Sequence, residues 1–292
     1  MEYPDIFFFP LTEPEPVRLL GMSHGVLARR IPDFLCLCLN ERGQDRVGLL
    51  EMRAADEQGV PTGEWASFDH LPAADEIMSF LPENGVEAAI IGTLEGTQEG
   101  MDVRLTVVRE STGIANRSLD WKLNLRDPAR SCVDLARRLA GELALPLSGL
   151  TWRKHGTKSP EAFLHFLNGL DGAAQLDPQA SSSEDPRKLL APFLDALAAD
   201  PDFGLALRRL HATLTGAIAA LQMPVEDAFE IYDKALETRP GDKEALASIA
   251  EFLAALGDSE RAEDWLRLAV EREDPPPLAL ETLGILLANR GE

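Results

Sequence analysis

The C-terminal half repeats itself every 34 residues, and the residues that recur are those that two crossing helices require. Small side chains return at Ala228 and Ala262 and at Ala235 and Ala269, with the large apolar Tyr232 and Leu266 between them. Gly216, Ala250 and Gly284 form a further small set. A period of this length is one helix–turn–helix unit that cannot bury its apolar face alone, so successive units stack and share a core. Two units are expected in register, Arg209–Asp242 and Lys243–Pro276, with Gly216 and Ala250 letting helices approach and Leu246, Ile249, Leu253 and Leu266 filling the space between them. A third unit opens with Leu280, Leu283, Gly284 and Leu287. Pro201 precedes Pro240 by 39 residues, so the repeat that follows Pro201 should carry about five extra residues in its first helix or turn, and the stack should bend or shift there.

The preceding part of the chain has a different rhythm. At 292 residues and 45% apolar, the chain has material for two cores of ordinary size. Residues 1–147 alternate period-2 with period-3.6 segments, as a mixed α/β domain does. Ile6–Phe9 and Val47–Met52 are expected as the first two strands, and the nearly all-apolar Ala88–Leu94 as a central one. Val103, Leu105 and Val107 alternate with polar residues, as do Leu119, Trp121 and Leu123. With Ser111-Thr112-Gly113 between them, they predict an antiparallel hairpin. Helices are expected from about Ser23 to Leu39, kinked or split by Pro32, from about Leu71 to Leu81, and from Asp127-Pro128 onward along Cys132, Leu135, Ala136, Leu139 and Leu143. The expected order is β-α-β-α-β-β-β-α, with a long polar loop around Asp56–Trp65. Residues 148–158, with Arg153, Lys154, His155 and Lys158, read as a basic linker. Ser159-Pro160-Glu161 then caps a helix carrying Phe163 and Phe166. A polar insert at Asp177–Pro186 is followed by a helix along Leu189, Phe193 and Ala196 that ends at Asp200-Pro201-Asp202.

The 34-residue period with its small and large positions resembles the tetratricopeptide repeat (TPR) family. The first part resembles the TolB amino-terminal domain family. That likeness rests on Ile6-Phe7-Phe8-Phe9-Pro10, on Glu87-Ala88-Ala89-Ile90-Ile91-Gly92-Thr93-Leu94, on the Val103–Val108 and Ser118–Leu123 hairpin, and on the helix after Asp127. Together the two resemblances imply an α/β domain at 1–147, a linker at 148–158 and an irregular TPR-like α-solenoid at 159–292. They imply an accessory or adaptor protein of bacterial type rather than a catalyst; no cofactor is expected, because the glycines lack the order of a phosphate cradle, and no metal, because no His or Cys cluster accompanies the Cys36 and Cys38 pair. By resemblance to TPR arrays, the partner groove is lined by first-helix positions outside the inter-repeat core: Thr213, Ala217 and Ala220, then Glu244, Ala247, Glu251 and Ala254, then Glu281, Ile285 and Asn289. This surface is acidic and lacks a Lys/Arg clamp for a carboxylate, so a basic peptide or amphipathic helix is the expected protein partner. The last helix is read as a cap on the stack or as a face that accepts a partner's helix.

Charge and cysteine usage bound the rest. The net charge of −21 is shared evenly between the halves, and no basic stripe is present, so nucleic acid and anionic membranes are not expected partners. Cys36, Cys38 and Cys132 are an odd count without a secretory leader, and Ile6–Phe9 is too short to span a membrane, so a reducing, cytoplasmic setting is expected. A homodimer is compatible with all of this.

Two other functional classes were weighed. A small ligand bound in the α/β domain would make the chain a sensory module. Gly21-Met22-Ser23-His24-Gly25 matches G-x-S-x-G, which would make Ser23 a hydrolase nucleophile. However, too few strands precede it, and His70, His155, His165 and His211 offer no preferred base. The expected alternative is Ser23 as a helix N-cap. Cys36 and Cys38 read as buried thiols, Gly92 as a strand-end glycine, Asp75-Glu76 and Glu263-Asp264 as solvated carboxylates, Trp121 and Trp265 as core, and Trp65 as an exposed aromatic.

Overall fold

The computed structural model describes residues 4–13, 22–23, 25–40, 46–50, 53–55, 61–65, 74–83, 85–97, 100–109, 117–145, 156–176, 185–221, 223–237, 243–255, 257–271 and 275–291. Its first part is built on a five-stranded mixed sheet. β1 (Ile6–Phe8) lies between β2 (Val47–Leu49) and β5 (Ala88–Gly96), parallel to both. β6 (Met101–Arg109) and β7 (Arg117–Leu123) continue antiparallel from β5, which makes β5 the middle strand, as its apolar run required. The turn at Ser111–Gly113 lies outside the described residues, but the pairing of Val103 with Trp121 fixes the hairpin register.

The alternation along β6 divides the sheet into two faces. On one face Ile6, Phe8, Ile90, Val103, Leu105 and Leu119 meet α1 (Val26–Leu39) and α3 (Pro128–Leu143) in the main core. On the other, Phe9, Ala89, Ile91 and Val108 meet Ile77 and Leu81 of α2 (Ala74–Glu83). The result is an α/β/α layering around a sheet.

Several expectations are corrected here. The polar loop at Asp56–Trp65 is replaced at its edges by a hairpin, β3 (Arg53–Ala55) with β4 (Pro61–Trp65), so Trp65 belongs to a strand. The second main strand ends at Leu49, short of Met52. Pro32 does not split α1; it is buried inside a continuous helix of 14 residues. Ser23 is not an N-cap: Gly25 holds that place at φ 76°, and Ser23 is exposed and offers only its carbonyl to Val26 N at 3.4 Å. Asp127 does stand before Pro128 at the start of α3, but its side chain makes no capping hydrogen bond. Gly92 is not at a strand end. It pairs with Leu105 in mid-strand, where a Cβ would meet the Leu105 side chain at 2.9 Å.

Helices make up the remainder. α4 (Pro160–Gln175) is capped by Ser159, whose hydroxyl accepts from Ala162 N at 3.1 Å. In α5 (Pro186–Ala199) the Asp185-Pro186 pair that closes the polar insert is itself the cap, since Asp185 accepts from Arg187 N at 3.0 Å. Then come α6 (Gly204–Leu221), α7 (Val225–Glu237), α8 (Lys243–Ala255), α9 (Ser259–Val270) and α10 (Pro277–Arg290). α7 and α9 begin 34 residues apart, as do α8 and α10, whereas α6 begins 39 before α8. The extra residues lie within α6 itself, 18 residues long against 13 in α8. These helices pack on neighbours one and two places away in sequence: α6 on α5 and α7, α7 also on α5, α8 on α6 and α9, and α10 on α8 and α9.

The main core runs on from the sheet into these helices. Phe34 of α1 packs edge-on against Phe163 (4.9 Å between ring centroids) and Phe166 (6.2 Å) of α4, and Phe166 goes on to Phe193 and Phe203. α1 therefore faces the sheet, α3 and α4 at once, which explains why 11 of its 14 residues are buried.

Candidate interaction surface

The recurring positions behave in two ways. Ala228, Tyr232 and Ala235 of α7 and Ala262, Leu266 and Ala269 of α9 are all buried to within 1%, so both helices present one small-large-small stripe to the interior. Ala250 is fully buried too. Gly216 and Gly284 are not points of close approach. Both are exposed, and a Cβ on either would meet nothing within 4 Å.

The ten positions expected to line a groove do not form one uniform surface. Ala217 and Ala247 are buried in the core, Ala247 at 1% exposure, and cannot touch a partner. Thr213 is half-buried, its hydroxyl donating to Arg209 O at 2.8 Å. Ala254 is half-buried against the core. Glu251, Glu281, Ile285 and Asn289 are exposed, with Ile285 at 54%. The side chains of Ala220 and Glu244 lie outside the described residues. The accessible remainder on α8 and α10 is thus two carboxylates, an amide and one large apolar side chain.

Behind it lies a polar cluster that periodicity did not reveal. His211 Nδ1 of α6 shares a hydrogen bond with the hydroxyl of Tyr232 on α7, and both rings stand within 6.1 Å of Phe252 on α8. Burial pushes the His211 pKa down, against the opposing pull of Glu251, and pushes the Tyr232 phenol well up. The hydrogen bond joins α6 to α7, and the Phe252 ring brings α8 against it. Glu263 was also misread as a solvated carboxylate. It accepts from Arg267 on its own helix at 2.8 Å and from Arg290 on α10, and the two cations hold its pKa below the ordinary carboxylate value.

A second cluster joins the two parts of the chain. Asp171 of α4 receives Arg29 through Nε (3.1 Å) and Nη2 (3.2 Å), and also Arg30 through Nε (2.9 Å); Arg30 further reaches Asp33 at 3.5 Å. Arg30 is 1% exposed. The hint in the sequence is two adjacent arginines, with Asp33, in a helix whose other residues are apolar.

The serine and cysteine motifs are accounted for by packing or exposure. Cys36, Cys38 and Cys132 are free, buried thiols, all raised in pKa by desolvation. Gly21 and His24 lie outside the described residues. In open α/β sheets, ligands enter outside the carboxyl ends of the strands, where the strand order reverses. Here that crevice, between β1 and β5, is occupied by the chain itself: Thr12 bridges to Thr93, Thr12 N donates to Gly92 O and Leu94 N to Thr12 O, both at 2.9 Å. Trp121 and Trp265 are partly buried against the core, Trp121 donating to Ser131 Oγ at 3.1 Å. The basic residues Arg153, Lys154 and His155 lie outside the described residues, and Lys158 is exposed. Among the described residues no helix is long and apolar enough to cross a membrane.

Comparison with known families agrees with this geometry. The tetratricopeptide repeat family matches residues 225–282, the stretch from the first residue of α7 into α10. No curated protein sequence matches the chain. Residues 225–282, from α7 into the first turns of α10, therefore carry tetratricopeptide repeat sequence, a module whose general business is protein–protein interaction.

Proposed function

We propose that the chain is a non-enzymatic adaptor that binds a protein partner through its tetratricopeptide helices. The observation that carries this reading is the coincidence of the family match at 225–282 with helices α8, α9 and α10, set at the 34-residue period and packed on one another. The contact surface is the exposed part of the first-helix positions, Glu251, Glu281, Ile285 and Asn289, together with Glu244. Its carboxylates and the net charge of −21 favour a basic peptide or an amphipathic helix with basic flanks. The α/β part at 1–147, which we read as TolB-like, would serve as a second contact surface, joined to the helical array at 159–292. The free, buried thiols suit a reducing compartment, and a bacterial cytoplasm is the setting we propose.

The test is affinity capture from a lysate of the source organism, with wild type compared to the Glu244→Arg, Glu251→Arg double variant and read by mass spectrometry. A protein held by wild type and depleted about tenfold or more by the variant supports the acidic groove. Equal recovery on both forms sinks it.

A further inference from the structure

We infer that the outer face of α3 is a docking surface for an acidic segment of a protein partner. This places the second contact surface of the adaptor reading and rests on that reading, while its geometry is separate from the tetratricopeptide helices. Residues 101–147 carry eight of the 28 basic side chains and six of the 49 acidic ones, a surplus of two positive charges, so the remainder of the chain stands at −23. Within this stretch α3 has two faces. Cys132, Leu135, Ala136, Leu139 and Leu143 are buried, whereas Arg130, Arg137, Arg138 and Gly141 are exposed. At about 100° per residue, Arg130, Asp134, Arg137 and Gly141 fall within about 60° of one another, and Arg138 flanks that stripe. Arg109 of β6 reaches the end of the same helix, where its Nη2 donates to Glu142 O at 2.9 Å.

Helix stability does not account for these arginines. Arg130 stands in the first turn, where the helix dipole favours acids, and that turn carries none. Asp134 answers two of the cations, Arg137 closely and Arg130 only at 4.0 Å, while Arg138 has no ion-pair partner among the described residues. Four guanidinium groups thus stand beside two carboxylates, Asp134 and Glu142, in a chain that is otherwise strongly acidic. Every one of the four is an arginine, whose planar fork takes a carboxylate through two hydrogen bonds at once. Arg130 and Arg137 are about 10 Å apart along the axis, so the matching segment carries carboxylates at that separation, about three residues of extended chain. Size then selects between anionic partners. A membrane surface or a nucleic-acid duplex would reach past this patch onto the acidic remainder, and repulsion there acts over a Debye length of about 8 Å. A short acidic segment fits within the patch. A second copy of the chain would bring −21 against −21.

The probe is a fluorescent synthetic peptide of alternating glutamate and serine, titrated with the full chain and read by anisotropy. Binding should saturate, and the Arg130→Glu, Arg138→Glu double variant should weaken it about tenfold or more. Lys188→Glu, which reverses an exposed cation on α5, should leave it unchanged. Salt should weaken it as the Debye length falls from about 10 to about 3 Å. Both arginines are exposed, and unchanged thermal melting of the double variant separates a lost contact from a lost fold; if melting does shift, Arg138→Gln alone must still weaken binding. Absence of saturable binding overturns the proposal, as does binding that the arginine variants leave intact or that Lys188→Glu weakens equally. Displacement of the peptide by phosphatidylserine vesicles or duplex DNA as readily as by unlabelled peptide overturns it too, and so does a dimer in sedimentation velocity that the double variant converts to monomer. The groove reading fails separately: Glu251→Arg should leave peptide binding in place here, whereas the arginine variants should leave capture through the groove in place there.

Discussion

Asp171 carries more of the molecule's integrity than its single charge suggests. It answers two guanidinium groups, one of them fully buried, and it does so across the boundary between the α/β layers and the helices. Asp171→Ala takes from the enclosed Arg30 its closest carboxylate, while the 3.5 Å contact to Asp33 remains, a loss of about 3 kcal/mol, which urea unfolding at neutral pH will measure. Arg29→Ala should cost less, because Arg30 still satisfies the carboxylate. His211 sets a pH response of the opposite chemical kind. Its imidazole is held below the ordinary value of 6.5 by burial among Tyr232 and Phe252, with only Glu251 opposing. The unfolded chain therefore takes up the proton first. The stability contributed is fully present above 6.5 and is lost as pH falls from there through the lowered value of the folded state. Thermal midpoints measured from neutral pH downward should fall across that window, and His211→Gln should flatten this part of the curve.

At the scale of elements, glycines discriminate between helices that touch and helices that only recur. Gly172 of α4 faces α5 so closely that a Cβ would stand 2.9 Å from the Leu189 carbonyl carbon. Gly172→Ala should therefore cost about 1–3 kcal/mol through overpacking. Gly216 has the recurring position but open space around it, so Gly216→Ala should instead stabilise by about 0.5–1 kcal/mol through helix propensity alone. Paired chemical denaturation of the two variants decides both. The contrast also shows where sequence reading reached its limit. The strands of alternating pattern, the central apolar strand, the cap Ser159, the end of α5 at Asp200 and the extra length of α6 were all legible, because each is written in local periodicity or turn chemistry. Gly216 and Gly284 were misplaced because a period identifies equivalent positions, whereas closeness depends on which helix lies opposite. Pro32 was misjudged for a related reason: α1 is enclosed by sheet, α3 and α4, and that packing outweighs a local preference for breaking the helix. Within the proposed groove, Ala217 and Ala247 were lost in the same way, being small and on a first helix yet turned inward.

For the whole molecule, the junction is the feature that no pattern announced. A two-part chain suggests two cores, but Phe34, Phe163 and Phe166 carry one apolar cluster from the sheet into the helices. Folding should then couple the parts. Trp121, on β7, and Trp265, on α9, are reporters at opposite ends of that cluster. Fluorescence of variants retaining only one or the other should give coincident urea midpoints, and Phe34→Ala should separate them, with the α/β signal and the helical signal melting apart. Midpoints already separate in the parent chain would mean that the shared aromatic contact is too weak to make one cooperative unit.

Cys36 and Cys38 on α1 and Cys132 on α3 are free, enclosed and held protonated by desolvation. An enclosed, protonated thiol is inert toward an alkylating reagent until its helix lifts away and admits solvent. The chain thus contains its own clock. The rate at which these three sulfurs acquire a label, without any engineered probe, counts how often α1 and α3 part from the sheet, and a ligand or partner that tightens the molecule would slow the count.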